Sequence, residues 1–185
     1  AYPPVFESIE STEAPGESAE ELAGEPAVEE PVKVIGNLRI GIPLYNVFLN
    51  EADEWSRRLQ TEVSEWALQL TERLPDSTVA LAHSLAGSSA TVGFEALSAI
   101  ARALEHSMQH TQGLAWGTEQ HGSAYVDAAE EIRRLLHQFA AGFLKAPDAA
   151  VTEALRALDR LDIPRRPSLT DDSVLPPLDD AEPLQ

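Results

Sequence analysis

The 185-residue chain contains no cysteine, which excludes disulfides and thiolate metal sites. Basic residues are scarce, with 13 Lys and Arg against 31 Asp and Glu for a net charge of −18. A surface that depressed in positive charge is a poor partner for nucleic acid or for an anionic membrane. No run of 18 apolar residues and no basic-then-apolar leader occurs, so no membrane span is expected and the cytoplasm is the simplest compartment. A Walker-type loop and a nucleotide-binding glycine cluster are also missing; this segment is not expected to use ATP. Nor does any stretch show the β-branched alternation of a sheet.

Proline is nearly absent from the middle of the chain, and ten of the 13 prolines fall in residues 1–32 and 163–185. Residues 1–32 also hold nine glutamates and no Lys or Arg, while 163–185 hold five acids against Arg165 and Arg166. Such compositions bury too little apolar surface to offset the entropy of ordering, so both ends read as disordered acidic linkers. They suggest an excerpt from a longer protein. The folded unit is expected over 33–162.

Within that unit the apolar residues recur at helical spacing. Phe48, Ala52, Trp55, Leu59, Val63, Trp66 and Leu70 predict a first helix over 43–72, ended by Pro75. Asp76 or Ser77 is then placed to cap a second helix. Ala82, Leu85, Ser89 and Val92 mark its buried face, and Phe94, Leu97, Ala101, Leu104 and Met108 that of a third helix reaching Gln112. The glycine-containing stretch 113–122 reads as a loop. A fourth helix over 123–144 points Val126, Ala129, Ile132, Leu136, Phe139 and Phe143 inward, and a shorter one follows Pro147 and Asp148. Residues 33–42, with two glycines, suit an extended arm. Four amphipathic helices sharing one core give an all-α, up-down four-helix bundle with an accessory C-terminal helix.

The second and third helices carry the chemistry. His83 is followed three, four and seven positions later by Ala86, Gly87 and Ala90, so the imidazole stands beside a strip almost without side chains. Glycine inside a helix costs about 1 kcal/mol relative to alanine, and Gly87 therefore calls for a reason such as close approach by another molecule. If the two helices fold back at Gly93, His83 and Glu105 come level, ten residues before the bend and twelve after it. A carboxylate can then face the ring.

His83, Leu85, Gly87, Ser88, Ser89, Gly93, Leu97, Leu104 and Glu105 together resemble the motif of the histidine-containing phosphotransfer (Hpt) domain, H-x-[LI]-K-G-[SA]-[SA]-x-x-x-G followed by an apolar helix ending in Leu-Glu. The resemblance covers about Gly41 to Lys145. It is strongest to the N-terminal domains of CheA-type chemotaxis kinases, especially the large ChpA and PilL types that control type IV pili and twitching motility. It implies a four-helix bundle that accepts a phosphoryl group on His83 and passes it to an aspartate of a response-regulator receiver. Glu105 would then hold one ring nitrogen, and Ala86, Gly87 and Ala90 would form the clearance against which a partner docks. The implied partners are a kinase catalytic domain and receiver domains; ATP and Mg²⁺ belong to those partners, and the module itself needs no cofactor and acts as a monomer. One position departs from the motif, because Ala86 stands where the family has lysine. A docking domain of the same kind of signalling array that is never phosphorylated is the alternative.

The remaining chemical candidates have plainer readings. Ser88 and Ser89 have no assignable base and suit helix packing. His106 and His110 at i,i+4 could share a metal on one helix face, but no motif supplies a third ligand from His121 or His137. Trp55, Trp66 and Trp116 are too scattered for a stacking platform.

Overall fold

The computed structural model describes residues 31–167. The two acidic linkers read from composition lie outside the described residues except at their inner edges. There the boundary moves outward. Ala115 N–H donates to the Pro164 carbonyl (2.8 Å) and Arg166 N–H to that of Gly113 (2.9 Å), so residues 163–167 pair with the 113–115 loop.

The described chain opens with a β-hairpin rather than a single extended arm. β1 (Val32–Ile35) pairs antiparallel with β2 (Leu38–Gly41), Ile35 opposite Leu38 and Lys33 opposite Ile40. The turn is Gly36–Asn37 with Gly36 at φ +58°, the left-handed residue that a two-residue hairpin of the II′ kind wants first. Ile35 and Ile40 are buried on the inner face whereas Val32 and Val34 point outward. Those outward valines blur the apolar alternation, and for that reason the expectation of no sheet missed the hairpin.

Four long helices then form the expected all-α bundle: α1 (Ile42–Ala67), α2 (Asp76–Thr91), α3 (Glu95–Gln112) and α4 (Glu119–Ala140). The short α5 (Ala149–Ala157) runs into a 3₁₀ turn at Leu158–Arg160 and packs on α3 and α4. Every inward residue expected on α2 and α3 is buried. At the hairpin end of the bundle, Phe139 stacks on Phe94 (centroids 4.5 Å apart) and meets Phe48 edge-on (5.6 Å), so α1, α3's entry and α4 share one aromatic contact.

Helix ends depart from the expectation in three places. α1 stops at Ala67, well before Pro75, because the chain folds back around Trp66: the indole N–H donates to the Glu72 carbonyl (2.9 Å) and Gly117 N–H to that of Leu70 (2.7 Å). α4 begins at Glu119, inside the expected loop. Thr118 Oγ1 accepts from the His121 backbone N–H while His121 Nδ1 accepts from Thr118 N–H, a capping box in which histidine takes the place of Glu or Gln. At the far end α4 closes at Ala140, Gly142 turns at φ +93°, and Phe143, expected inside, is exposed.

Buried polar groups tie the helices in register. The Tyr125 hydroxyl on α4 meets Ser107 Oγ (2.9 Å) and Thr111 Oγ1 (2.6 Å) on α3, and burial pushes it up to about 12. Glu131, also buried, accepts from Arg134 and from the Asp148 backbone N–H (2.7 Å); the Arg134 guanidinium, followed by that amide, holds its carboxyl below the usual range. It thereby anchors the connection into α5. Asp148 in turn caps α5 by accepting from Ala150 N–H (2.8 Å).

Two outcomes follow from these contacts. A Cβ at Gly117 would stand 2.5 Å from the Trp66 ring, which is buried and hydrogen-bonded and cannot move aside; Gly117→Ala should lower stability by about 1–3 kcal/mol in urea denaturation. His121 is fully buried with Nε2 unpartnered, and burial, then the charge of His110, pushes its pKa down. Between the lowered folded pKa and the ordinary value of about 6.5 the unfolded chain binds more protons, so this group's contribution to stability is lost as pH falls below about 6.5. His121→Gln keeps the capping acceptor and should flatten that part of a stability–pH curve relative to the parent chain.

Candidate functional site

The site is built on α2 and α3, an antiparallel pair fixed at both ends. At the bend, Gly93 takes φ +80° and Phe94 N–H donates to the Ser89 carbonyl (2.8 Å). Leu38 of β2 lies against Gly93 and covers this turn. At the open end, Gln112 Nε2 donates to the Leu74 carbonyl (3.0 Å) and to Asp76 Oδ1 (2.8 Å). The N-cap of α2 is Pro75, not Asp76 or Ser77. Ser77 and Thr78 instead donate to Glu62 Oε2 on α1 (2.8 and 2.7 Å), which binds the first turn of α2 to the neighbouring helix.

Between these ends stand His83 and Glu105. His83 Nδ1 lies 2.9 Å from Glu105 Oε1, with the imidazole 76% exposed and the carboxylate 17% exposed. In the neutral ring, Nδ1–H donates to the carboxylate and leaves the Nε2 lone pair free and facing outward. Gln109, one turn further along α3, donates from Nε2 to the same Glu105 oxygen (3.3 Å) and helps hold the carboxylate in place. The sequence had brought His83 and Glu105 to the same level; the structure joins them.

The three small residues beside the ring differ from one another. Gly87 is exposed, and a Cβ placed there meets no atom within 4 Å. Nothing within the described chain therefore explains its glycine. Ala90 is half-buried. Ala86, expected on the same clearance surface, is 2% exposed and belongs to the core. Its position three residues after His83 rotates it toward α3, where its carbonyl accepts from Ser98 Oγ (2.9 Å). The clearance narrows to Gly87 and Ala90.

Among the other candidates, Ser89 is fully buried with its hydroxyl unpartnered, as a packing residue can be, and Ser88 is half-buried. His106 and His137 are exposed and His121 sits in its capping box. Among the described residues no group of three or more His, Asp or Glu is arranged to hold a metal. No helix of the described residues is long and apolar enough to cross a membrane.

Sequence reading passed over Gln109, Ser98 and Arg102. The signal for all three was available: Gln109 is four residues after Glu105, and Arg102 four after Ser98, the spacing at which helix side chains meet. Arg102 Nε–H donates to Ser98 Oγ (3.3 Å).

No curated protein matches the chain. The Hpt domain family, in contrast, matches residues 43–162, from the start of α1 to just beyond the 3₁₀ turn. An exposed histidine with one nitrogen held by a carboxylate, set on a bundle matched over well more than half of the chain, leaves one conclusion: this protein belongs to the Hpt domain family, the histidine phosphotransfer modules of two-component signalling.

Proposed function

We propose that the chain carries a phosphoryl group on His83 Nε2 and passes it to an aspartate of a response-regulator receiver. The observation behind this is the 2.9 Å contact of Nδ1 with Glu105 beside the open strip at Gly87. The Nε2 lone pair attacks phosphorus as the bond from phosphorus to the donor oxygen breaks, and the donor leaves with that electron pair. The Nδ1 proton stays between the ring and Glu105 Oε1, whose charge offsets the positive ring that forms. In the onward step a receiver carboxylate oxygen attacks phosphorus, and the N–P bond returns its electrons to Nε2. Alignment and charge neutralisation dominate such transfers. The donor ATP and Mg²⁺ are assigned to the partner kinase and receiver, not to this bundle.

The motif points more finely to the cytoplasmic, CheA-type kinases of the ChpA and PilL kinds, with this bundle acting as a monomeric module. Gly87 supports the docking of a partner at His83, since the helix accepts the penalty of a glycine where its own packing has room for a methyl group. A second reading, a docking domain that is never phosphorylated, draws on the absence of the motif lysine at Ala86.

Two measurements test the proposal. With a cognate kinase or a phosphorylated receiver, the chain should gain acid-labile, base-stable phosphate that His83→Gln abolishes; equal labelling of the variant contradicts the proposal, and partner binding with no labelling of either protein favours the docking domain. Gly87→Ala should raise stability by about 0.5–1 kcal/mol in urea denaturation while slowing transfer several-fold. Unchanged transfer in that variant would show that the strip is not a docking clearance.

A further inference from the structure

The phosphoryl group adds about two negative charges beside Glu105, on a helix pair with little positive charge to receive it. α2 contains no Lys or Arg, and α3 contains one, Arg102. Arg102 is exposed, and among the described residues no carboxylate pairs with its guanidinium. It lies three residues before Glu105, on the same side of α3, with Cβ atoms about 5–6 Å apart at that spacing.

Two cross-helix contacts set its level against α2. Glu105 faces His83, and Ser98 faces Ala86. Arg102 lies between Ser98 and Glu105 on α3, so in this antiparallel pair it comes level with the stretch of α2 between Ala86 and His83. The chain Arg102 Nε–H to Ser98 Oγ to Ala86 carbonyl (3.3 and 2.9 Å) holds the arginine at that level. It leaves the guanidinium's terminal N–H groups without a partner among the described residues, on the face of α3 that Glu105 shares. The methyl of Ala86 is buried, so α3 approaches α2 closely enough at this turn for Ser98 to reach the backbone.

We infer that Arg102 is the phosphoryl-binding cation of this site, supplying from α3 the positive charge that the motif places on α2 at position 86. The inference rests on the reading of His83 as the phosphoacceptor. Arginine suits the task because its planar fork can donate two hydrogen bonds to phosphoryl oxygens while Nε remains bonded to Ser98. It also acts only once the phosphoryl group is present; in the resting protein the guanidinium has no anionic partner among the described residues.

The test uses the 185-residue chain with phosphoramidate, a small phosphoryl donor that needs no partner protein, followed by ³¹P NMR and intact mass. Parent, His83→Gln, Arg102→Gln and Arg102→Lys are compared, with circular dichroism to confirm that each is folded. Phosphorylation of the parent and its loss in His83→Gln establishes the acceptor. Arg102→Gln should then slow phosphorylation about fivefold and move the ³¹P titration midpoint of the phosphoryl group to higher pH, while Arg102→Lys restores much of both. A merely structural role for Arg102 would not move the phosphoryl midpoint with charge. If His83→Gln abolishes labelling but Arg102→Gln leaves rate and midpoint unchanged, the assignment of Arg102 is overturned and the acceptor stands. If His83→Gln is labelled as well as the parent, the acceptor reading falls and the inference with it.

Discussion

Two antiparallel helices can slide past each other by a turn, about 5.4 Å, with little change in which faces they bury. Apolar stripes alone therefore do not decide which residue of α3 faces His83. Here the register of α2 and α3 is set by polar contacts spread along their length: Gln112 on Asp76 and the Leu74 carbonyl, Ser98 on the Ala86 carbonyl, and Phe94 N–H on the Ser89 carbonyl at the bend. A one-turn slip would break all of them together. The ring of His83 meets Glu105 because this register holds, and the rest of the bundle acts on the site by keeping it so. Leu38 covers the bend, Glu62 ties the first turn of α2 to α1, and Tyr125 links α3 to α4.

The site itself divides labour between burial and exposure. Glu105 is mostly covered and held by Gln109, so its carboxylate is presented in a fixed direction. His83 is mostly exposed, which leaves its outer nitrogen open to a large partner. An exposed phosphotransfer histidine suits a carrier, because the machinery of bond breaking can reside in whichever protein docks. What the bundle must supply is one oriented lone pair, room beside it, and a way to hold the charge that arrives.

Much of this was legible in the chain itself. The 3.6-residue spacing of apolar residues revealed the four helices and the inward faces of α2 and α3, and the nearly equal arms around Gly93, ten and twelve residues, brought His83 level with Glu105. The misses have physical causes. Helix ends were set by contacts distant in sequence: Trp66 with the Glu72 carbonyl stopped α1 short, and an unusual Thr118–His121 capping box started α4 early. The hairpin was hidden because Val32 and Val34 face outward while Lys33 lies on the inner face over the Tyr45 ring. Ala86 was placed on the surface by its closeness to His83 in sequence, although its angle around the helix turns it toward α3. Arg102, on α3 between Ser98 and Glu105, is then the cation we infer for the site in place of a residue at 86.

The central claim is that Glu105 holds Nδ1–H of His83 and leaves Nε2 as the free nucleophile. Long-range ¹H–¹⁵N correlation spectra of the histidine-labelled chain, recorded well above the ordinary imidazole range so that the rings are neutral, measure this directly. The account predicts that His83 is the Nδ1–H tautomer and that Glu105→Ala shifts it toward Nε2–H. An Nε2–H tautomer in the parent chain, or a tautomer that Glu105→Ala leaves unchanged, would contradict it.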